Sequence, residues 1–259
     1  MEGIKDKAVI VTGGGSGIGA AIAEHFHAAG AQVVIAGRDV ARLEAQAAKM
    51  ADPARVRHTQ ADVGRIEDME ALIAFCLEQF GRLDVLVNNA GSGMLGPIAD
   101  IDPAVWRHVI ATDLDSVFYG AKFAIPHLLK TGGSIVNISS ICGVAGDPGF
   151  AAYNAAKAGV INFTRSLALE MADKGVRANT ISPGLIRTPS TEQVPPPSFA
   201  GWESLIPMGR AGTVDEIASM AVFLASDGAS YITGQNFVVD GGITAHTGQP
   251  HFLRYHAMG

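Results

Sequence analysis

The chain has 259 residues, of which 48% are apolar and 17% charged, so it can build a packed core and is not a disordered segment. Its formal net charge of −6 gives no indication of the basic face that nucleic-acid binding requires. No apolar run approaches the roughly 18 residues of a membrane-spanning helix, and the run that ends at Val11 is too short for a signal peptide. Neither Cys76 and Cys142 nor the histidines show a metal-ligand or redox spacing. We therefore expect a cytoplasmic protein without a metal, a nucleic-acid partner or a membrane partner.

Short β-branched runs alternate with longer amphipathic segments along nearly the whole chain. The runs predicted as buried strands are Ala8–Val11, Gln32–Ile35, Val56–Gln60, Val85–Val87, Ile135–Ile138, Arg177–Ile181 and Phe237–Val239. The segments predicted as helices are Gly17–Ala29, Val40–Met50, Ile66–Phe80, Pro103–Leu129, Tyr153–Asp173 and Val214–Ser226. This alternation is typical of an α/β fold, a doubly wound parallel sheet with helices on both faces. Because no linker interrupts it, we expect one domain over residues 1–259 with a seven-stranded sheet.

A glycine-rich turn separates the first predicted strand from the first predicted helix. Glycines allow a tight turn and a close approach of a pyrophosphate, and a helix N-terminus offers free N–H groups. A merely flexible loop is the alternative, but the order strand, glycines, helix favours a dinucleotide site. The residues predicted to bind the dinucleotide here are Gly13, Gly15, Ser16, Gly17, Ile18 and Gly19.

The end of the second predicted strand distinguishes between the two nicotinamide dinucleotides. An acidic residue there would bind a ribose 2′-hydroxyl, but the chain has Gly37 followed by Arg38. A small residue leaves room for a 2′-phosphate, which the guanidinium would pair with, and Arg42 would assist. Asp39 is interpreted as a cap of the next helix. We predict NADP(H), with NAD as the alternative and a solvated surface charge as the other interpretation of Arg38.

Tyr153 and Lys157 stand four residues apart at the start of a predicted helix and therefore share one face. A tyrosine ordinarily titrates near pH ~10, and a nearby ammonium lowers that pKa, which makes the phenol a usable general acid and base. Ser140 follows the fifth predicted strand, where ligands bind in open α/β sheets. Its hydroxyl would hold a substrate oxygen beside Tyr153. Taken alone, the Tyr-x-x-x-Lys pair also suits an ordinary helix start.

Two stretches interrupt the alternation of strands and helices. Residues 183–212 are rich in proline and poor in helix-forming runs, and we expect an irregular substrate loop at about 185–212. The prolines are Pro183, Pro189, Pro195, Pro196, Pro197 and Pro207. The tail at 243–259 carries aromatic residues near its end, and we expect it either to pack on a neighbouring subunit or to fray.

The motifs together resemble the short-chain dehydrogenase/reductase family over essentially the whole chain, and more closely its NADP-preferring alcohol dehydrogenase and ketone reductase type. In chain order they are Thr12-Gly13-x-x-x-Gly17-x-Gly19, Asp62-Val63, Asn88-Asn89-Ala90-Gly91, Ser140, Tyr153-x-x-x-Lys157, Pro183-Gly184 and Asp240-Gly241-Gly242. The resemblance implies a Rossmann fold and an oxidoreductase that transfers a hydride.

The resemblance also assigns roles to individual positions. Tyr153 would be the acid and base, Lys157 would bind the nicotinamide ribose and lower the pKa of the tyrosine, and Ser140 would orient the substrate. Further cofactor contacts are implied for Asp62 and Val63 at the adenine, for the turn Asn89, Ala90 and Gly91, for Pro183 and Gly184, for the backbone of Ile186, and for Thr188 on the carboxamide or pyrophosphate side.

Asp113 is a departure from the family, which usually has an asparagine here that holds a water connected to the lysine. Much of that role belongs to the backbone carbonyl, so we expect Asp113 to be a tolerated catalytic substitute. A carboxylate near Lys157 would raise the pKa of the lysine.

The substrate is predicted less directly than the chemistry. The residues expected to face the nicotinamide are Met94, Leu95, Cys142, Phe150 and Leu185, and those expected to close over them are Val194, Phe199, Trp202, Leu205 and Ile206. Such an apolar pocket suits a small-molecule secondary alcohol or ketone that is bulky and apolar. Trp202 is equally well interpreted as a loop anchor, and Cys142 as a small apolar lining residue.

Several alternatives stay open. Arg187 and Arg210 would suit a 3-oxoacyl thioester on an acidic carrier, and a steroid or a sugar is a further alternative substrate. A non-catalytic protein that senses the dinucleotide would not need Ser140, Tyr153 and Lys157 together. A sugar-nucleotide epimerase or dehydratase is disfavoured by the glycine spacing and the chain length. The resemblance also implies a homotetramer, with Pro103–Leu129 and Tyr153–Asp173 at one interface and Phe237–Gly242 near another.

Overall fold

The computed structural model describes residues 2–247 and 249, and its centre is a seven-stranded, wholly parallel sheet. The strands are β1 Ala8–Thr12, β2 Gln32–Gly37, β3 Val56–Gln60, β4 Val85–Asn88, β5 Ser134–Ile138, β6 Arg177–Pro183 and β7 Asn236–Val239. Their order across the sheet is β3-β2-β1-β4-β5-β6-β7. The predicted Rossmann fold and all seven predicted strands are confirmed, with boundaries displaced by two residues at most.

Helices cover both faces of the sheet. They are α1 Gly17–Ala28, α2 Val40–Ala47, α3 Ile66–Phe80, α4 Pro103–Ile110, α5 Ser116–Thr131, α6 Ala151–Met171, α7 Pro196–Glu203 and α8 Val214–Ala225. One apolar cluster packs α1 and α8 against the sheet, and a second packs α3, α5 and α6 against the other face. Because both faces are covered, the central strands are continuous apolar runs, and β1 is buried at every residue.

The helix predicted over Pro103–Leu129 is not a single α-helix. A π-helical segment, Ala111–Asp115, joins α4 to α5. A π segment widens one turn of a helix and is frequent at functional sites. Residue periodicity does not reveal it, because the apolar spacing on either side is that of an ordinary helix.

The proline-rich stretch is more regular than predicted. Within residues 185–212, α7 begins at Pro196, and its prolines occupy the first turn. Proline is favoured at that position because its fixed φ suits a helix and its missing N–H is not needed there. The prediction of an irregular loop was therefore wrong for Pro196–Glu203. The aromatic residues of the C-terminal tail lie outside the described residues.

The topology determines where a ligand would bind. From β1 the chain moves outward to β2 and β3, and then crosses back to β4 on the opposite side of β1. At such a switch point the loops that follow β1 and β4 diverge and open a crevice at the carboxyl edge of the sheet. The glycine turn follows β1, and Asn89 follows β4, so both line this crevice. Among the described residues no helix combines the length and the apolar character needed to cross a membrane.

Candidate active site

The glycine turn leaves a cradle of backbone at the start of α1. Gly13 has a φ of 65°, which favours glycine, and a Cβ at Gly19 would overlap the carbonyl oxygen of Gly13. Ser16 is the N-cap residue of α1, but its side chain makes no capping hydrogen bond. Its hydroxyl and the first N–H groups of the helix therefore remain available to an anionic group.

Hydrogen bonds fix this turn against the end of β4. The Thr12 hydroxyl accepts from the backbone N–H of Asn89 at 3.0 Å and from that of Ala90 at 3.1 Å. The Asn89 amide donates to the carbonyl of Thr12 at 2.9 Å. Asn89, Ala90 and Gly91 therefore lie directly across the crevice from the glycine turn. Thr12 was identified from sequence only as part of a motif, and its bracing role depends on the pairing of β1 with β4.

Arg38 lines a groove of about 710 Å³ between β3 and α3. Its guanidinium is exposed and has no partner among residues 2–247 and 249, whereas Arg42 is paired with Asp39 at 3.1 Å. Asp39 also accepts from the Arg42 N–H, which confirms it as the cap of α2. Asp62 lines the same groove and accepts from the Gly64 N–H at 3.0 Å, and Val63 beside it is buried.

The loop after β6 approaches the same turn from the opposite side. Thr188 lies against Gly17, where a Cβ would meet its side chain at 3.5 Å. The carbonyl of Ile186 accepts from the Thr191 hydroxyl at 2.8 Å, and Pro183 and Gly184 lead from β6 into this loop. The predicted cofactor residues therefore converge on one crevice from the ends of β1, β2, β3, β4 and β6. The backbone room at the turn and the N–H groups at the start of α1 fit a nicotinamide dinucleotide.

The predicted catalytic residues also come together. Tyr153 lies in the first turn of α6, Lys157 lies one turn later, and Ser140 follows β5. The Lys157 Nζ donates to the carbonyl of Ile138 at 3.2 Å and lies 5.4 Å from the centre of the Tyr153 ring. Lys157 is 4% exposed, so the surrounding structure fixes its charge in place.

Asp113 lies in the π-helical segment and is completely buried. Its Oδ1 lies 3.0 Å from the Lys157 Nζ and forms a buried ion pair with it. Its Oδ2 accepts from the backbone N–H of Ser92 at 2.8 Å and from the Ser92 hydroxyl at 3.1 Å. Asp113 thus connects the lysine to the loop after β4. Ser92 was missed from sequence, because nothing in its local pattern marks the contact.

Burial and neighbouring charges both shift the pKa values of Tyr153 and Lys157. Burial raises the pKa of Tyr153 above its ordinary value, and the Lys157 ammonium opposes this shift while Asp113 adds to it. Burial works to lower the pKa of Lys157, but the neighbouring charges of Tyr153 and Asp113 outweigh it, and the pKa is raised. Lys157 therefore stays charged at neutral pH, as the carboxylate beside it led us to expect. A protonated phenol beside a fixed ammonium can exchange its proton with a bound oxygen.

The substrate side of the cluster is apolar. Met94 packs in one cluster with Tyr153, and the Phe150 ring lies 6.4 Å from the Tyr153 ring, edge to face. Leu95 is largely exposed. Cys142 donates its N–H to the Ser140 hydroxyl at 3.1 Å, and burial raises the pKa of its thiol to about 11, so a nucleophilic role is disfavoured.

The substrate loop has a small core of its own. Leu185, Phe199 and Ile206 are buried against one another, with Val194 packed beside them. These contacts stabilise the loop, in contrast to the cleft-facing positions predicted for them. Trp202 on α7 is partly exposed and Leu205, two residues beyond the end of that helix, is largely exposed, so both remain available to a ligand.

The two arginines at the substrate side are already paired. The Arg187 guanidinium lies 2.7 Å from Glu203 and stacks on the Phe199 ring, and Arg210 lies 2.6 Å from Glu216.

Across residues 2–247, no three His, Cys, Asp or Glu side chains are grouped in a way that would hold a metal ion.

Comparison with known proteins places the chain among oxidoreductases. The family model described as enoyl-(acyl carrier protein) reductase matches residues 13–244. The meso-2,3-butanediol dehydrogenase of Serratia marcescens is 41% identical over 96% of this chain and 98% of its own length. The 3beta-hydroxysteroid dehydrogenase 1 of Eggerthella lenta is 41% identical over 95% and 97%. A 3-oxoacyl-(acyl-carrier-protein) reductase of Chlamydia pneumoniae is 39% identical over 92% and 97%.

Proposed function

The chain belongs to the short-chain dehydrogenase/reductase family of oxidoreductases, and from this we propose that it interconverts a secondary alcohol and a ketone with NADP(H). Residues 1–259 then form one dinucleotide-binding and catalytic domain, and 185–212 form its substrate loop. When bound, the dinucleotide supplies or accepts the hydride.

The observation that carries the proposal is the cluster of Ser140, Tyr153, Lys157 and Asp113 at the crevice. A protein that only sensed a dinucleotide would have no use for a phenol beside a buried ammonium. The same crevice contains the glycine turn, so the proton-handling groups lie next to the expected cofactor.

The four residues of this cluster have different roles in proton transfer. Ser140 donates a hydrogen bond to the substrate oxygen and orients it towards Tyr153. During reduction of a ketone the Tyr153 hydroxyl gives its proton to that oxygen, and during oxidation the phenolate takes one from the alcohol. Lys157 stabilises the phenolate by its charge and Asp113 holds the ammonium in place, so that Asp113 serves as a tolerated substitute.

The preference for NADP(H) over NAD(H) rests on Arg38. Its guanidinium has no partner within the described part of the chain, and Gly37 before it leaves room for a phosphate. The predicted role of Arg42 is supported less well, because Asp39 already neutralises it.

The apolar surroundings of Tyr153 support a bulky, uncharged substrate. The steroid dehydrogenase among the relatives is consistent with this class, and a steroid stays an alternative. The butanediol in the name of another relative is uncharged but small. The 3-oxoacyl thioester alternative loses the support of Arg187 and Arg210, since both pair with carboxylates of the same chain.

A homotetramer is supported by apolar side chains on both expected interfaces. Phe118 on α5 and Leu169 on α6 are exposed, as is Val238 in β7. Light scattering at micromolar concentration should give four times the chain mass, and a monomer would contradict the assembly. The cytoplasmic location stays a prediction.

Replacing the phenol tests the function directly. Tyr153→Phe keeps the ring but loses the proton, so turnover of ketones and alcohols, followed at 340 nm, should fall by about 10²–10⁴-fold. Binding of NADPH, followed by fluorescence, should persist. Tyr231→Phe, at a fully exposed position, is the matched control and should behave as the unmodified protein. Turnover retained in Tyr153→Phe would refute the acid and base role.

A further inference from the structure

Three segments of the chain border the substrate side of Tyr153. They are residues 91–98 after β4, residues 140–150 after β5, and residues 185–212 after β6. The first has no charged side chain, and the second has only Asp147. The third has Arg187 and Arg210 together with Glu192 and Glu203.

The arginines do not leave a free positive charge at this side. Arg187 pairs with Glu203, whose carboxylate also accepts from the Ala211 N–H at 3.0 Å. Arg210 makes two short contacts to the carboxylate of Glu216 on α8. Both cations are thereby balanced by carboxylates within the chain, and Glu192 and Asp147 have no cation paired with them in the described ranges.

Asp147 is held close to the catalytic residues. Its carboxylate accepts from the Cys142 thiol at 3.0 Å, and the Cys142 N–H is bonded to the Ser140 hydroxyl. Its carbonyl accepts from the side chain of Asn154, the neighbour of Tyr153 in sequence, at 3.0 Å. Contacts to residues beside both Ser140 and Tyr153 therefore fix an exposed negative charge at the rim of the cleft.

From this arrangement we propose that Asp147 is a specificity residue that makes the enzyme select neutral or cationic ketones and alcohols against anionic ones. The proposal rests on the proposed function and narrows its substrate class. A carboxylate at the rim repels a carboxylate substrate and attracts an ammonium, and with both arginines paired no group compensates. Acyl groups carried on acidic proteins or on phosphate-bearing thioesters fall in the excluded class.

A set of three ketones with the same aryl ketone and different end groups tests the effect of charge. The set is benzoylpropionate, its methyl ester, and the analogue with a dimethylamino group in place of the carboxylate. With NADPH, the unmodified enzyme should give a kcat/KM at least about tenfold higher for the ester than for the acid, and the amine should equal or exceed the ester. The difference between acid and ester should shrink as salt is added, because exposed charges are screened.

Asp147→Asn keeps the acceptor for the Cys142 thiol and removes the charge. Because the two charges would interact across a partly aqueous cleft, this should raise the ratio of acid to ester kcat/KM by roughly three- to tenfold. Asp173→Asn changes the net charge equally, but Asp173 lies just beyond the far end of α6, roughly 30 Å from Tyr153, and the substitution should leave the ratio unchanged. Equal kcat/KM values for acid and ester in the unmodified enzyme, or an unchanged ratio in Asp147→Asn, would overturn the proposal.

Titration calorimetry of the three ketones separates this proposal from the proposed function. If no ketone is turned over with NADPH or NADH, the proposed function fails, while tighter binding of ester and amine than of acid still supports the charge selection. If all three are turned over and bound alike, the function stands and the role of Asp147 is wrong.

Discussion

The cofactor side and the substrate side of the crevice are built in different ways. At the cofactor side the backbone leaves no room for side chains: a Cβ at Gly19 would overlap the carbonyl of Gly13, and a Cβ at Gly13 would crowd Asn89 and Ala90. Asn89 also braces the turn through its hydrogen bond to Thr12. At the substrate side, Leu95 on the loop after β4 and Trp202 on α7 are partly or largely exposed. A rigid backbone cradle suits a constant ligand, whereas exposed side chains on loops can differ between relatives that act on butanediol, steroids or acyl thioesters.

The largest expected effect tests this contrast with two glycines. Gly19→Ala places a methyl group on the carbonyl oxygen of Gly13, so the turn must shift. We expect NADPH affinity to fall by about 100-fold or more, which corresponds to roughly 3 kcal/mol. Fluorescence titration of NADPH measures it, with circular dichroism to confirm folding.

Gly93→Ala is the control from the substrate side, because nothing lies within 4 Å of an added Cβ there. NADPH affinity should be unchanged. If both variants bound NADPH equally well, the cofactor side would be no more constrained than the loop, and the contrast would fail.

The second-largest expected effect also concerns the cofactor side. There we expect the exposed side chain of Arg38 to make the site select NADPH over NADH. Arg38→Ala should raise the KM for NADPH by about 10- to 100-fold, since it removes a charge-assisted contact to phosphate, and should spare NADH. Arg42→Ala, whose guanidinium is already paired with Asp39, should have a smaller effect. A similar loss with both dinucleotides would show that Arg38 does not select the phosphate.

The same contrast explains what could be predicted from sequence. The glycine turn, the strands and the pair Tyr153 and Lys157 follow from local spacing, since a strand needs a continuous apolar run and an i, i+4 pair shares a helix face. The π segment at Asp113 does not, because its geometry depends on how α4 and α5 pack against α6. Leu185 and Phe199 were assigned to the cleft because apolar loop residues carry no sign of which side they pack on.

The smallest expected effect concerns Asp113, which belongs to both sides because it joins Lys157 to Ser92. Asp113→Asn keeps the size of the side chain and removes its charge. The carboxylate raises the pKa of both Tyr153 and Lys157, so its loss should lower both. Oxidation of the alcohol needs the phenolate of Tyr153, so its rate should begin to rise at a lower pH than in the unmodified enzyme. Reduction of the ketone needs the protonated phenol, so its rate should also begin to fall at a lower pH than in the unmodified enzyme.

The pH profiles of kcat/KM in both directions measure these shifts, and the tyrosinate absorbance of the free protein, with Tyr153→Phe as the blank, measures the phenol without turnover. Asp115→Asn is the matched control, because Asp115 lies in the same π segment and makes no ion pair to Lys157 in the described structure. We expect only a few-fold gain in oxidation at neutral pH, since Lys157 still lies beside Tyr153. A many-fold gain would mean that Asp113 impairs proton transfer instead of serving as a tolerated substitute, and profiles unchanged from those of Asp115→Asn would mean that the carboxylate does not act on Tyr153 at all.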